Sequence, residues 1–178
     1  MSRLFQLIMG LVLPDQGHIS VFDMAYPKQE KEIKQQISYV PPNYLGPERW
    51  TAKKLALFYK QWYPNWNDRT FASLLHQFAI PERTAYKDLS TGNQRKLLFS
   101  LAVSCHTRLM LLDEPTNGYD FMSKQIFYDQ IDEWMQNGDR TILIATHSAE
   151  EIHKIADHIT LMDGGIMIGT FEKDTLID

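Results

Sequence analysis

The sequence predicts an α/β protein: a buried parallel sheet with a helical subdomain inserted into it. Three observations carry that expectation. The run Arg108-Leu109-Met110-Leu111-Leu112 is too short for a helix and too apolar, after its first residue, for a half-exposed strand. It suits a strand covered on both faces, as in parallel sheets. Thr141-Ile142-Leu143-Ile144-Ala145 is a second run of this kind, and the helical pattern between the two makes a crossover that sets them parallel. From about Gly46 to Cys105 three helical patterns follow one another with no strand signal, which marks off a helical layer. The expected organisation is one domain over residues 1–178, with a core of 1–45 and 106–178 and a helical subdomain of 46–105.

Taken in order, the chain opens with Arg3 and an apolar stretch from Leu4 to Val12. No small-x-small cleavage site follows, and the stretch is too short to span a bilayer. An amphipathic helix with Leu4, Leu7, Ile8 and Leu11 on one face is expected instead. Pro14 to Gly17 make a turn, and Gly17 to Phe22 read as a strand with Ile19 and Val21 on one side. A charged stretch from Lys28 to Lys34 precedes a strand at Ile37–Val40, which Pro41-Pro42 stop because proline cannot donate to a ladder.

Thr51 is the expected cap of a helix through Trp62, with Leu55, Phe58 and Trp62 as its apolar stripe and Pro64 beyond its end. Asp68 is expected to cap the next helix, which carries Phe71, Leu74, Leu75 and Phe78 at helical spacing. Ser90 caps a third, with Leu97, Leu98, Leu101, Ala102 and Cys105 inside. After the first buried strand, Phe121 to Gln136 form a helix that turns Phe127, Ile131 and Trp134 inward and stops at Asn137-Gly138. A short helix runs from Ser148 to about Ala156. Ile159–Met162 and Ile166–Ile168 then make a hairpin over Asp163-Gly164-Gly165.

A hydrophobic content of 44% and a charged content of 22% fit an ordinary globular domain. The net charge of −4 argues against general nucleic-acid binding. One cysteine, Cys105, excludes an internal disulfide and fits a reducing cytosol. His147 and His153 lie six residues apart, off any single helical face, and the other histidines show no ligand spacing, so zinc is not expected.

Ligands of parallel sheets sit beyond the carboxyl ends of the strands. Asp113, Glu114 and His147 all fall at that edge. Asp113 can hold a hydrated magnesium ion, and Glu114 can polarise a water for attack on a phosphate. Ser90-Thr91-Gly92-Asn93 open a helix whose free N–H groups and dipole attract an anion. Arg95 and Lys96 oppose that dipole, and an anion nearby would relieve them.

These stretches carry a family resemblance. LSTGN resembles the signature motif, usually LSGGQ, of the nucleotide-binding subunits of ABC transporters. LMLLDEP resembles their Walker B strand, NGYD their D-loop, and IATHS their switch histidine. The overall pattern is most similar to bacterial exporter-type subunits. The resemblance implies an incomplete P-loop NTPase (RecA-like) core, with ATP and Mg2+ as cofactors. Glu114 and His147 would be catalytic and Asp113 a magnesium ligand. Ser90, Gly92 and Asp120 would act on the nucleotide of a second ABC subunit, arranged head to tail. It further implies a transmembrane permease subunit as partner and a cytoplasmic place, peripheral on the inner face of the cell membrane. The aromatics Phe58, Tyr59, Trp62, Tyr63 and Trp66 would either dock that permease or pack a small helical layer.

Three departures stand out. Thr91 and Asn93 replace the usual glycine and glutamine of the signature. Pro42 stands where the family has a glutamine that touches magnesium, with Asn43 after it. The phosphate loop G-x-x-x-x-G-K-S/T is missing: the first glycine is Gly10, and matching LFQLIMGL to the family puts Met1 on the lysine and Ser2 on the magnesium-binding serine. The expectation is a subunit lacking its opening segment, inactive alone. A non-catalytic pairing protein that donates only its signature to a partner's site is the second reading. A non-transport ABC ATPase is disfavoured by the lack of inserted arms or a tandem copy.

Overall fold

The chain enters its sheet late. In this computed structural model, which describes residues 2–44, 46–136 and 138–177, α1 (Ser2–Ile8) leads to a small antiparallel ribbon of β1 (Ser20–Val21) and β2 (Met24–Ala25). Next come α2 (Glu30–Lys34) and β3 (Ile37–Val40). The helices α3 (Ala52–Trp62), α4 (Asp68–Gln77) and α5 (Thr91–Ser104) follow in succession, with a 3-10 turn at Tyr86–Asp88 before α5. The chain then alternates: β4 (Leu109–Asp113), α6 (Phe121–Met135), β5 (Thr141–Ala145), α7 (Ala149–Ile155). It closes with the hairpin β6 (His158–Asp163) and β7 (Ile166–Glu172) and the short α8 (Lys173–Ile177).

The central sheet has the order β3-β4-β5, all parallel. Ile37 pairs with Leu109, Leu109 with Thr141 and Asp113 with Ala145, so the three strands end at one rim. The period-2 alternation of β4 splits the core into two layers. Met110 and Leu112 join Val40 and the apolar faces of α3–α6, including Leu55, Leu74, Leu97, Leu101, Phe99 and Phe127. Leu109 and Leu111 pack on the other side with Phe5, Val21, Ile33 and Ile37. The helix α5 runs through the middle of the first layer and is buried nearly all round from Lys96 to Ser104.

Several elements differ from expectation. The first helix turns Phe5 inward and ends at Ile8, so Leu11 lies past it and is 57% exposed. The strand expected over Gly17–Phe22 shrinks to two residues because Phe22 and Asp23 adopt positive φ (54° and 60°) and fold the chain back into β2. The charged stretch 28–34 contains α2, anchored by the fully buried Ile33. Asn67, not Asp68, caps α4: its side chain accepts from the amides of Arg69 and Thr70. Asp68 instead pairs with Lys60 and Trp66. Thr51 holds the cap position of α3 but makes no side-chain capping bond.

The stripe of α3 also rotates: Ala52 and Leu55 face the core, while Phe58 and Trp62 are 42% and 54% exposed. The strand β5 is not covered on both faces. It pairs only with β4 among the described strands, and Leu143 is 38% exposed. The expected stop of α6 at Asn137-Gly138 lies partly outside the described residues; Gln136 forms the C-cap and Gly138 has φ +88°. The hairpin appears as expected but longer, turning at Gly164-Gly165 with both φ positive.

Candidate functional site

The rim of the sheet gathers the three residues expected there. Asp113 ends β4 and is buried. Tyr39, on the neighbouring strand, has its phenol pushed up to about 12, first by burial and then by the Asp113 charge. Glu114 takes a left-handed backbone with φ 51°. For a residue with a Cβ that conformation costs about 1–2 kcal/mol. Its amide donates to the carbonyl of Ala145 (2.9 Å), which ties the turn to the end of β5. Its carbonyl accepts from Arg95 Nη1 (2.9 Å).

The side chain of Glu114 meets His147: Oε1 lies 2.8 Å from Nδ1. The pair is open to solvent, with the imidazole 84% and the carboxylate 30% exposed. The hydrogen bond to Glu114 raises the pKa of His147 above its ordinary 6.5, and the Glu114 charge adds to this. Tautomer follows from the contact: Nδ1 carries the proton when it donates to a carboxylate, which leaves Nε2 facing out.

The signature stretch opens α5. Ser90 Oγ accepts from the amide of Asn93 (3.2 Å). Gly92 lies against the loop after β4: a Cβ there would sit 2.8 Å from the carbonyl oxygen of Gly118, itself at φ +82°. Only glycine permits so close an approach. Asp120 caps α6 by accepting from the Ser123 amide (2.8 Å) and hydroxyl. It also accepts from Lys96 Nζ (3.2 Å). The Ser123 amide first, then its hydroxyl and Lys96, lower the Asp120 carboxyl to about 2. Asp120 is thus engaged as the cap of α6, and its side chain is still 64% exposed. Of Ser2 the structure gives only its place as the first residue of α1, and Met1 lies outside the described residues.

Sequence reasoning missed Glu151 and assigned Arg95 to a nearby anion, whereas the structure gives it two backbone carbonyls. Arg95 Nη2 donates to the carbonyl of Pro42 (3.0 Å) while Nη1 holds Glu114. Glu151, in the first turn of α7, is 2% exposed and accepts from the Thr116 hydroxyl. Its second oxygen, Oε2, has no hydrogen-bond partner among the described residues. Glu150-Glu151 reads in sequence as an exposed acidic helix start, so nothing marked one of the two as buried. An open cleft of about 380 Å³ runs beside Arg95, between the loop Pro42–Tyr44 and Thr91, with Tyr44 and Tyr86 in contact on its wall.

Among the described residues no three His, Cys, Asp or Glu cluster as a metal site. A single buried carboxylate at a strand end still suits magnesium, which keeps most of its waters and needs only one or two protein oxygens beside substrate phosphates. No helix among the described residues is long and apolar enough to cross a membrane.

The fold aligns with those of solved ABC proteins. One is described as an ATP binding subunit of an ABC transporter: TM-score 0.88, 20% identity, 98% of this chain and 75% of that one. Another is a bacterial Atm1-family ABC exporter with ATP bound: TM-score 0.81, 16% identity, 99% of this chain and 32% of that one. The fold is thus that of the ATP-binding domain of ABC proteins, a P-loop NTPase-type α/β architecture. The chain belongs to the ABC transporter family, whose sequence model matches residues 1–117. It is 30% identical over 180 residues to the ABC transporter ATP-binding protein YtrB of Bacillus subtilis (strain 168), covering 98% of this chain and 60% of that protein. It is 28% identical over 184 residues to the Nod factor export ATP-binding protein I of Bradyrhizobium diazoefficiens, covering 99% of this chain and 59% of that protein. The chain spans about 60% of the length of these curated relatives.

Proposed function

We propose that this chain is the Walker B, signature and switch portion of an ABC transporter ATP-binding subunit, acting on Mg-ATP at a head-to-tail interface with a second subunit. The observation that carries this is the Glu114–His147 contact at the rim beside Asp113. In this reading Asp113 holds magnesium, which would neutralise charge on the phosphates. Glu114 orients a water and accepts its proton in part. His147 fixes the Glu114 carboxylate through Nδ1 and presents Nε2 to the γ-phosphate. Ser90, Gly92 and Asp120 serve the nucleotide held by the opposite subunit, where the amides at the start of α5 meet an anion.

The names of the relatives, ATP-binding proteins of transport, support this over a non-catalytic pairing protein. The permease would dock on the helical layer and the 380 Å³ cleft, placing the subunit at the cytoplasmic face of the membrane.

The 178 residues contain no G-x-x-x-x-G-K-S/T. Each charge-assisted hydrogen bond of such a loop contributes about 1.5–3 kcal/mol, so three absent bonds weaken binding by about 5 kcal/mol or more. Each 1.4 kcal/mol is about tenfold in affinity. A polypeptide of these 178 residues and no more therefore neither retains ATP nor turns it over at a normal rate. Mixed with a complete homologous subunit, it raises ATP turnover above that of the partner alone, because its Ser90 and Gly92 complete the partner's site. No rise, with complex formation verified by size-exclusion chromatography, would eliminate the reading. Tight ATP retention by the isolated chain, measured by calorimetry, would overturn the account of the absent loop.

A further inference from the structure

Arg95 joins two segments of backbone that no strand ladder holds. Pro42 lies just past β3 and Glu114 just past β4, and each gives its carbonyl to one arm of the same guanidinium, at 3.0 and 2.9 Å. The planar fork of arginine suits two acceptors held at fixed separation, which a lysine cannot reproduce. The Glu114 end matters most. That residue sits in the left-handed region, and its backbone is held there by its amide on Ala145 and by its carbonyl, which accepts from Arg95 at 2.9 Å and more distantly from the Asn117 amide at 3.4 Å. The same turn aims its side chain at His147. Arg95 is itself anchored one turn into α5, whose start meets Gly118 through Gly92 and whose next residue, Lys96, pairs with Asp120. Its position in the helix is otherwise unfavourable, since a cation in the first turns opposes the dipole. The two carbonyls offset that cost.

We propose that Arg95 is a positioning residue: by clamping the Pro42 and Glu114 carbonyls it holds Glu114 in the left-handed turn that directs the carboxylate to His147. A shift of α5 or of the Pro42 loop is thereby felt at the Glu114 backbone. The consequence for turnover rests on the reading of Glu114 as the group that orients water; the clamp itself does not.

The test compares amide hydrogen exchange in the full chain, wild type against R95M and R95K. Losing a charge-assisted bond of this kind accelerates local opening roughly ten- to a hundredfold. The Glu114 amide of R95M exchanges faster by about that factor, while the amides of Leu111 and Leu112 in β4 keep their protection. R95K, with one ammonium for two carbonyls, falls between. A Glu114 amide unchanged in R95M overturns the proposal, and so does uniform acceleration along β4, which would mark Arg95 as a general structural brace. R95K guards against a misfolded R95M. In the assembled two-subunit protein, the same substitution lowers kcat with KM unchanged. Faster Glu114 exchange with unaltered kcat leaves the clamp standing and overturns the catalytic reading of Glu114 instead.

Discussion

Glu114 and His147 hold each other in an exposed position, so the proton they share is open to pH. The raised pKa of His147 fixes the sign of the effect. The imidazolium–carboxylate attraction is fully present below the ordinary histidine value of 6.5 and is lost as pH rises through the higher folded value. Replacing Glu114 by glutamine removes the charge and most of the bond, so the His147 midpoint moves down toward 6.5, read by NMR titration of the ring. An unmoved midpoint would mean that Glu114 does not contact His147 in solution. The second residue-scale case is Glu151. A buried carboxylate that keeps one hydrogen bond depends on it heavily. Thr116→Val destabilises the chain by about 1.5–3 kcal/mol in urea unfolding, and Thr116→Ser by much less. At this scale the sequence disclosed the residues that follow a strand end, because Asp113, Glu114 and His147 need only the strands to be placed. Arg95 and Glu151 act by pointing inward from helices, and hydropathy assigns charged helix residues to solvent.

The helix α3 separates packing from docking within one element. Leu55 is 1% exposed and lies in the main cluster, so Leu55→Ala costs about 2–5 kcal/mol. Phe58 meets Trp62 on the outside, with ring centroids 6.2 Å apart, and also meets Trp50 at 5.7 Å. The joint substitution F58A/W62A shifts stability by far less than Leu55→Ala and, on the function proposed above, weakens association with a permease, measured by co-purification. A loss of stability as large as that of Leu55→Ala would show these rings to be core rather than contact surface. Tyr59 and Tyr63 belong to the inside: the Tyr63 hydroxyl donates to the Ile37 carbonyl (3.0 Å) and bridges α3 to β3. The sequence treated all these aromatics as one group because a helical wheel shows a stripe but not where its centre falls. Long elements with strong periodicity, such as α4, α5 and α6, were legible nearly to the residue. The short β2 was not, since the turn before it places Phe22, a bulky residue rare at positive φ, in the left-handed region beside Asp23.

For the molecule as a whole the decisive feature is uneven cover. One side of β4 is buried under α3–α6, but β5 lies at the sheet's edge among the described strands with Leu143 partly bare. The hairpin β6–β7 forms its own two-stranded sheet and exposes Ile166, Met167 and Ile168 by more than half, at 71%, 61% and 63%. A two-stranded hairpin is marginal without a packed face, and an open apolar edge is a template for another chain. The isolated 178-residue polypeptide therefore associates as its concentration rises, seen as growing light scattering and binding of a hydrophobic dye. Placing lysines at Leu143 and Ile168 suppresses this, since charge at an edge blocks strand addition. Neither side chain is well buried, so the melting temperature changes little. Scattering that persists in the doubly substituted chain would place the association on the aromatic face of α3, where F58A/W62A removes it. A chain that stays monodisperse without either substitution would show that the bare rim of β5 and the hairpin do not attract a second copy.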